Sequence, residues 1–183
     1  MTQEEFSIKC PACKQGIIKI NKTVYDLPDK DKMLILKFEC DKCSYLKNDI
    51  IPLTTNMDSG IMTLEVASEA DLKSKIYRSP MGKIEIPELE LAVEPGPRAD
   101  FYYTNVEGIL LRFENAVSIY RNNLEEDDQQ VVEIEDLQRD LEKAMKGRLK
   151  FTLIITDTQG GSYIIPYDKS KYKFEKFKKN DLE

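Results

Sequence analysis

Apolar and polar positions divide the chain into stretches of different period. Three early segments, GIIKINKTVYDL, MLILKFEC and SYLKNDIIPL, have the length and β-branched content of strands. After NMDSG, near residues 56–60, short extended segments follow. Ile61, Thr63 and Glu65 oppose Met62, Leu64 and Val66, and Ile84, Ile86, Leu89, Leu91 and Val93 alternate similarly. Gly and Pro punctuate them at SPMG, IPE and EPGP, and Pro87 is expected at a strand end or bulge.

The period then changes. Val106, Leu110, Phe113, Val117, Tyr120 and Leu124 recur at steps of four and three and line one helical face. Thr104 with Glu107 reads as a capping box in front of that helix. LEEDDQQ interrupts it, and Ile134, Leu137, Leu141 and Ala144 or Met145 line a second helix that Gly147 ends. So short a connection returns the chain antiparallel, which predicts an αα-hairpin over about 105–147 with Glu125, Glu126, Asp127 and Asp128 at its tip. Beyond it, RLKFTLIITD and SYIIPYD read as two buried strands joined through TQGG as a hairpin, so the helices are inserted between strands of one β-rich domain. The tail KSKYKFEKFKKNDLE interleaves Tyr172, Phe174 and Phe177 with lysines. That pattern suits an edge strand protected by charge, and less well a platform for single-stranded nucleic acid.

Composition narrows the function classes. There is no histidine, which removes Ser-His and Cys-His nucleophile pairs. An enzyme working at the Asp157–Ser162 turn would lack an activated nucleophile. No Walker loop, dinucleotide fingerprint or nucleophile elbow is present. No apolar run approaches the roughly 20 residues of a membrane span, and MTQEEFSIKC lacks a secretory pattern. A cytoplasmic protein is expected. Net charge is −6, and the surplus lies in residues 105–147, with 5 basic and 11 acidic side chains. The acidic hairpin tip reads either as a solvated loop or as a prong that steers toward a basic partner.

All four cysteines stand in two pairs, CPAC (Cys10, Cys13) and CDKC (Cys40, Cys43). Each CxxC turn can aim two sulfurs at one point, and the 26 residues between the pairs suffice for two strands. Disulfides suit a cytoplasmic chain poorly, a thioredoxin-like pair wants a βαβ context, and the spacing is not that of ferredoxin runs. The expectation is one structural zinc ion in a ribbon over residues 1–56, followed by a β-domain over 57–183. Four protein ligands leave no open position for metal-assisted hydrolysis.

CPAC, CDKCSYLKNDI, IYRSPMGKIEIPELEL, EPG followed by TNVEGIL, and DTQGGSYI occur in an order that resembles the ZPR-type zinc-finger family, in its single-copy archaeal form. The resemblance implies an α+β, mainly β fold: an N-terminal zinc ribbon, then a double-stranded β-helix (jelly-roll-like) domain with an inserted αα-hairpin. It also implies a non-enzymatic partner of translation elongation factor one-alpha that assists the factor's folding. By motif, Cys10, Cys13, Cys40 and Cys43 match the zinc ligands. Ser79, Glu88, Glu107, Gly108, Asp157, Gly160 and Ser162 fall on further family positions. Ser79, Glu107, Asp157 and Ser162, with the acidic tip, are the candidate partner contacts. Arg98, Ala99 and Asp100 stand where the family has a Gly-Gly, and Thr158 where it has a proline. The alternative from another class is a nucleic-acid-binding zinc ribbon in translation or transcription.

Overall fold

The computed structural model describes residues 8–26, 32–53, 58–96, 99, 101–125 and 129–177. The chain divides into two compact units, Met1–Asn56 and Met57–Glu183.

The first unit is an antiparallel sheet of β1 (Ile8–Lys9), β2 (Ile17–Asp26), β3 (Lys32–Cys40) and β4 (Leu46–Pro52), in that order. β2 and β3 pair from Ile18↔Cys40 to Asp26↔Lys32, so the ladder delivers Cys40 beside the first cysteine turn. This sheet hides little. Cys10, Ile18 and Met33 are its buried apolar residues among those described, while Ile17, Ile20, Val24, Tyr25, Leu46 and Ile51 are exposed. A core that small does not offset the ordering entropy of some fifty residues.

The second unit has two sheets. One runs β12 (Tyr172–Lys176), β5 (Gly60–Val66), β10 (Phe151–Asp157), β7 (Gly82–Ile86), β8 (Leu91–Val93). The other runs β11 (Tyr163–Ile165), β6 (Lys75–Arg78), β9 (Tyr102–Asn105), and all pairings are antiparallel. The period-two pattern is obeyed: Met62, Leu64 and Val66 of β5, Ile84 and Ile86 of β7, and Phe151, Leu153 and Ile155 of β10 are buried. They join Ile76 and Ile164 of the second sheet in one core. Pro87 follows β7 and opens a 3-10 turn closed by Glu90 in the left-handed region (φ 51). Among the described residues β12 pairs with β5 alone, and Lys173, Phe174, Glu175 and Lys176 are exposed, so the described part of the lysine-rich tail forms a charged edge strand. Among the described residues no helix is long and apolar enough to cross a membrane.

Helices α1 (Val106–Asn122) and α2 (Val131–Met145) lie between β9 and β10 in sequence. α1 buries Val106, Ile109, Leu110, Phe113 and Val117 in the core of the β-sheets. Its expected stripe ends there. Tyr120 is exposed and its hydroxyl donates to Gln130 Oε1 (2.7 Å), and Leu124 lies beyond the helix. α2 buries Leu141 and Ala144, with Ile134, Leu137 and Met145 packed at the margin. It ends as expected: Gly147 is left-handed (φ 64), its amide donates to Ala144 O, and the Arg148 amide reaches Lys143 O, both at 2.9 Å.

Two local expectations are corrected. The cap of α1 is Asn105, whose Oδ1 accepts from the Gly108 amide at 2.8 Å; Thr104 is still in β9, opposite Ile76. The TQGG segment is not a hairpin, because β10 and β11 belong to different sheets and the turn crosses between them.

Candidate metal centre

The two cysteine turns are held by their own backbones and by each other. In the first, the Cys10 amide donates to Gly16 O (2.8 Å), the Lys14 amide to Cys10 O (3.0 Å), and Lys14 adopts a left-handed φ of 58°. The Gly16 amide points at Cys13 Sγ (3.3 Å). In the second, the Lys42 amide points at Cys40 Sγ (3.3 Å) and the Cys40 amide donates to Tyr45 O (3.1 Å). Asp41 fastens the turns together: its Oδ1 accepts from the Ile17 amide (2.8 Å) and its own amide donates to Ile17 O (3.2 Å). Gly16 and Asp41 escaped the sequence reading, since their importance shows only when the two turns meet.

The result is a compact group of sulfurs. All four Sγ atoms lie within 4.8 Å of one another, and Cys10–Cys43 and Cys13–Cys40 are each 3.7 Å apart. A tetrahedral ion bound by thiolates at about 2.3 Å, the zinc distance, sets the sulfurs about 3.8 Å apart. These two pairs run between the turns at distances far from the roughly 2.05 Å of a disulfide, and all four cysteines are free thiols. The arrangement therefore fits a metal ion.

The electrostatics point the same way. The Gln15 and Gly16 amides favour the Cys13 thiolate and bring its pKa down to about 6. At Cys43 the Tyr45 amide also favours the thiolate, but burial and the neighbouring sulfurs outweigh it and push the pKa up to about 12. Thiolates crowded this closely repel one another, a conflict that a divalent cation among them would remove. An ion held by all four sulfurs would have no open position for a water or substrate.

The second unit brings three other candidates together. Asp157 is fully buried; its Oδ2 accepts from the Ser79 hydroxyl (2.6 Å) and the Ser162 amide (2.9 Å), and its Oδ1 from the amides of Gly160 (2.8 Å) and Gln159 (3.1 Å). Ser162 Oγ accepts from the Ser79 amide (2.9 Å). Gly160 (φ 82) and Gly161 (φ 104) supply the left-handed geometry that folds the turn around the carboxylate. Ser79 and Ser162 are also buried, so these side chains face one another rather than solvent. They tie the β10–β11 crossover to the loop after β6. Glu88 does similar work at a strand edge, taking the Thr152 amide (3.0 Å) and hydroxyl (2.7 Å); burial opposes its ionisation, and the Thr152 bonds outweigh that and lower its pKa.

The acidic candidates are not gathered at one point. Glu107 is exposed in the first turn of α1, and Glu125 is exposed beyond its last turn. The 17-residue helix that carries the first and precedes the second is about 25 Å long at 1.5 Å per residue. Glu126, Asp127 and Asp128 lie outside the described residues.

Residues 70–183 match the ZPR1 jelly-roll domain family. The chain is 32% identical over 159 residues to a ZPR1-like protein of Methanocaldococcus jannaschii, covering 86% of this chain and 79% of that one. It is 29% identical over 176 residues to a ZPR1-like protein of Pyrococcus horikoshii, covering 94% and 77%. It is also 28% identical over 166 residues to the zinc finger chaperone zpr1 of Schizosaccharomyces pombe, covering 88% of this chain but 36% of that longer protein. A jelly-roll match over the second unit, relatives of similar length among archaea, and a four-cysteine cluster built to hold a metal ion agree: the chain belongs to the ZPR1 family.

Proposed function

We propose that this protein is a zinc-dependent, non-enzymatic binding protein of the cytoplasm that docks translation elongation factor one-alpha and assists its folding or maturation. The observation that carries the reading is the closed four-sulfur cluster, with its 3.7 Å separations between turns, in a sheet too small to hold itself. Cys10, Cys13, Cys40 and Cys43 hold one zinc ion, and the ion orders the strands rather than reacting. The fission-yeast relative's name, zinc finger chaperone, supports the same direction. Glu125, Glu126, Asp127 and Asp128 steer a basic client surface, and Glu107 is an exposed contact. Ser79, Asp157 and Ser162 contribute by fixing the shape of the crossover turn, since their side chains are buried.

The test is direct binding of the purified, zinc-loaded chain to purified elongation factor one-alpha, together with the refolding yield of that factor. Saturable binding and a raised yield, both lost on chelation, support the proposal; absence of binding, or binding indifferent to metal, contradicts it. A nucleic-acid-binding ribbon is the second reading, drawing on Lys19, Lys22 and Tyr25, all exposed on β2. Gel shift of generic RNA that weakens steeply with salt would favour it.

A further inference from the structure

A cavity of about 280 Å³ opens between α1 and the strands β6 to β9, in the second unit and independent of the cysteine cluster. Its walls are largely apolar, with Ile84, Ile109 and Phe113 among them, and its polar groups are two arginines and a tyrosine. Arg78 is only 4% exposed. Its Nε donates to Gly82 O (2.8 Å), but its buried Nη2 has no hydrogen-bond partner. The Arg78 guanidinium carbon lies 5.5 Å from the Tyr102 ring centre, and that of Arg112, which is exposed, lies 4.4 Å from it. Two cations therefore share one ring, and among the described residues no carboxylate pairs with either.

Two guanidinium groups line this cavity, and a cation held largely out of water without an anion beside it is costly. We propose that this cavity is a binding site for a compact apolar carboxylate, whose anionic head engages Arg78 and Arg112 and whose body packs against Ile84, Ile109 and Phe113. The size suits a small ligand, since the volume equals roughly nine water molecules. A single-charge head is favoured over phosphate. One edge of Arg78 is already engaged, and the cavity opens on the flank of α1 rather than at its amino end, where free amides would cradle a phosphate. The same chemistry is offered by a free carboxylic acid and by the C-terminal residue of a polypeptide.

Titration of the zinc-loaded full chain with phenylacetate, followed by amide chemical shifts, tests the site. Saturable shifts at residues around Arg78, Tyr102 and Arg112 are expected, with neutral phenylacetamide at least about tenfold weaker because it forfeits the charge-assisted bonds. The exposed-residue variant Arg112→Gln should weaken phenylacetate binding about fivefold or more. Ala116→Leu, which fills the cavity from an exposed position on α1, should weaken both ligands while leaving the melting temperature near that of the parent. N-acetyl-leucine binding more tightly than phenylacetate assigns the polypeptide source, and the reverse order assigns the free acid. The proposal is overturned by no saturable shift with either carboxylate, by equal binding of phenylacetamide, by inorganic phosphate binding as well as phenylacetate, or by indifference to Arg112→Gln.

Discussion

Gly16 lies so close to Cys40 that a β-carbon added to it would sit 2.4 Å from the Cys40 sulfur. One cysteine turn is thus shaped by the ligand of the other, and the two cannot be built separately. Because Cys40 Sγ is held by the Lys42 amide and needed at the centre, it cannot swing aside freely. Gly16→Ala should lower zinc affinity at least about tenfold, equivalent to about 1.4 kcal/mol, in competition with a chromophoric chelator. Unchanged affinity would mean that the turns do not approach as described.

Asp157 receives four donors in a buried site, and an amide replacing the carboxylate cannot accept them all. Asp157→Asn should destabilise the second unit by about 2–4 kcal/mol, and Ser79→Ala by about 1–2 kcal/mol. Urea unfolding followed by tyrosine fluorescence measures both. A cost below about 0.5 kcal/mol for Asp157→Asn, the scale of ordinary surface changes, would remove the network from the fold's support.

Asp71, buried at the start of a 3-10 turn over Asp71–Lys73, accepts from Lys171 Nζ (2.6 Å), Ser68 Oγ (2.8 Å) and the Ala67 amide (3.0 Å). Burial alone would raise its pKa, but these partners outweigh burial and lower it, while the Asp71 bond raises that of Lys171. A depressed carboxyl contributes stability above its unfolded value, near about 3.9, which is lost as pH falls through the folded value. A raised lysine contributes below its unfolded value, near about 10.4, and loses it as pH rises through the folded value. Stability of the second unit should therefore fall at both extremes and be level between them. Asp71→Asn should lower the plateau and flatten the acid limb. An acid limb identical in that variant would contradict the assignment.

Neutralising Glu125, Glu126, Asp127 and Asp128 together should slow association with elongation factor one-alpha and flatten the salt dependence of the on-rate, because steering by exposed charge is screened within roughly 10 Å at 0.1 M salt. Stopped-flow rates at several ionic strengths decide it. An on-rate that matches the parent throughout would remove the acidic tip from the mechanism.

Much of this architecture is legible in the sequence. Residues 60–66 and 151–157 alternate cleanly because each strand has one buried face, and α2 shows its stripe because only one side meets the core. The cysteine spacing carries the sulfur cluster, since each short turn can present two ligands to one point. What stayed hidden depends on contacts across long stretches of chain. Period two tells which face is buried but not which strand is the neighbour, so the crossover after Asp157 read as a hairpin. The α1 cap shifted from Thr104 to Asn105 because β9 continues its pairing through Asn105, opposite Lys75. Nothing in IYRSP marks Arg78 out, and only the packing of α1 over β6 to β9 gives it a cavity.

The ribbon's dependence on its metal is tested most directly by one spectrum taken before and after chelation, on material whose zinc content has been measured. If a closed thiolate centre organises the first unit, the purified chain carries one equivalent of zinc. A chelator then collapses the amide dispersion of residues 8–53 while residues 58–177 keep theirs. Well-dispersed amide signals from residues 8–53 in metal-free protein would contradict it.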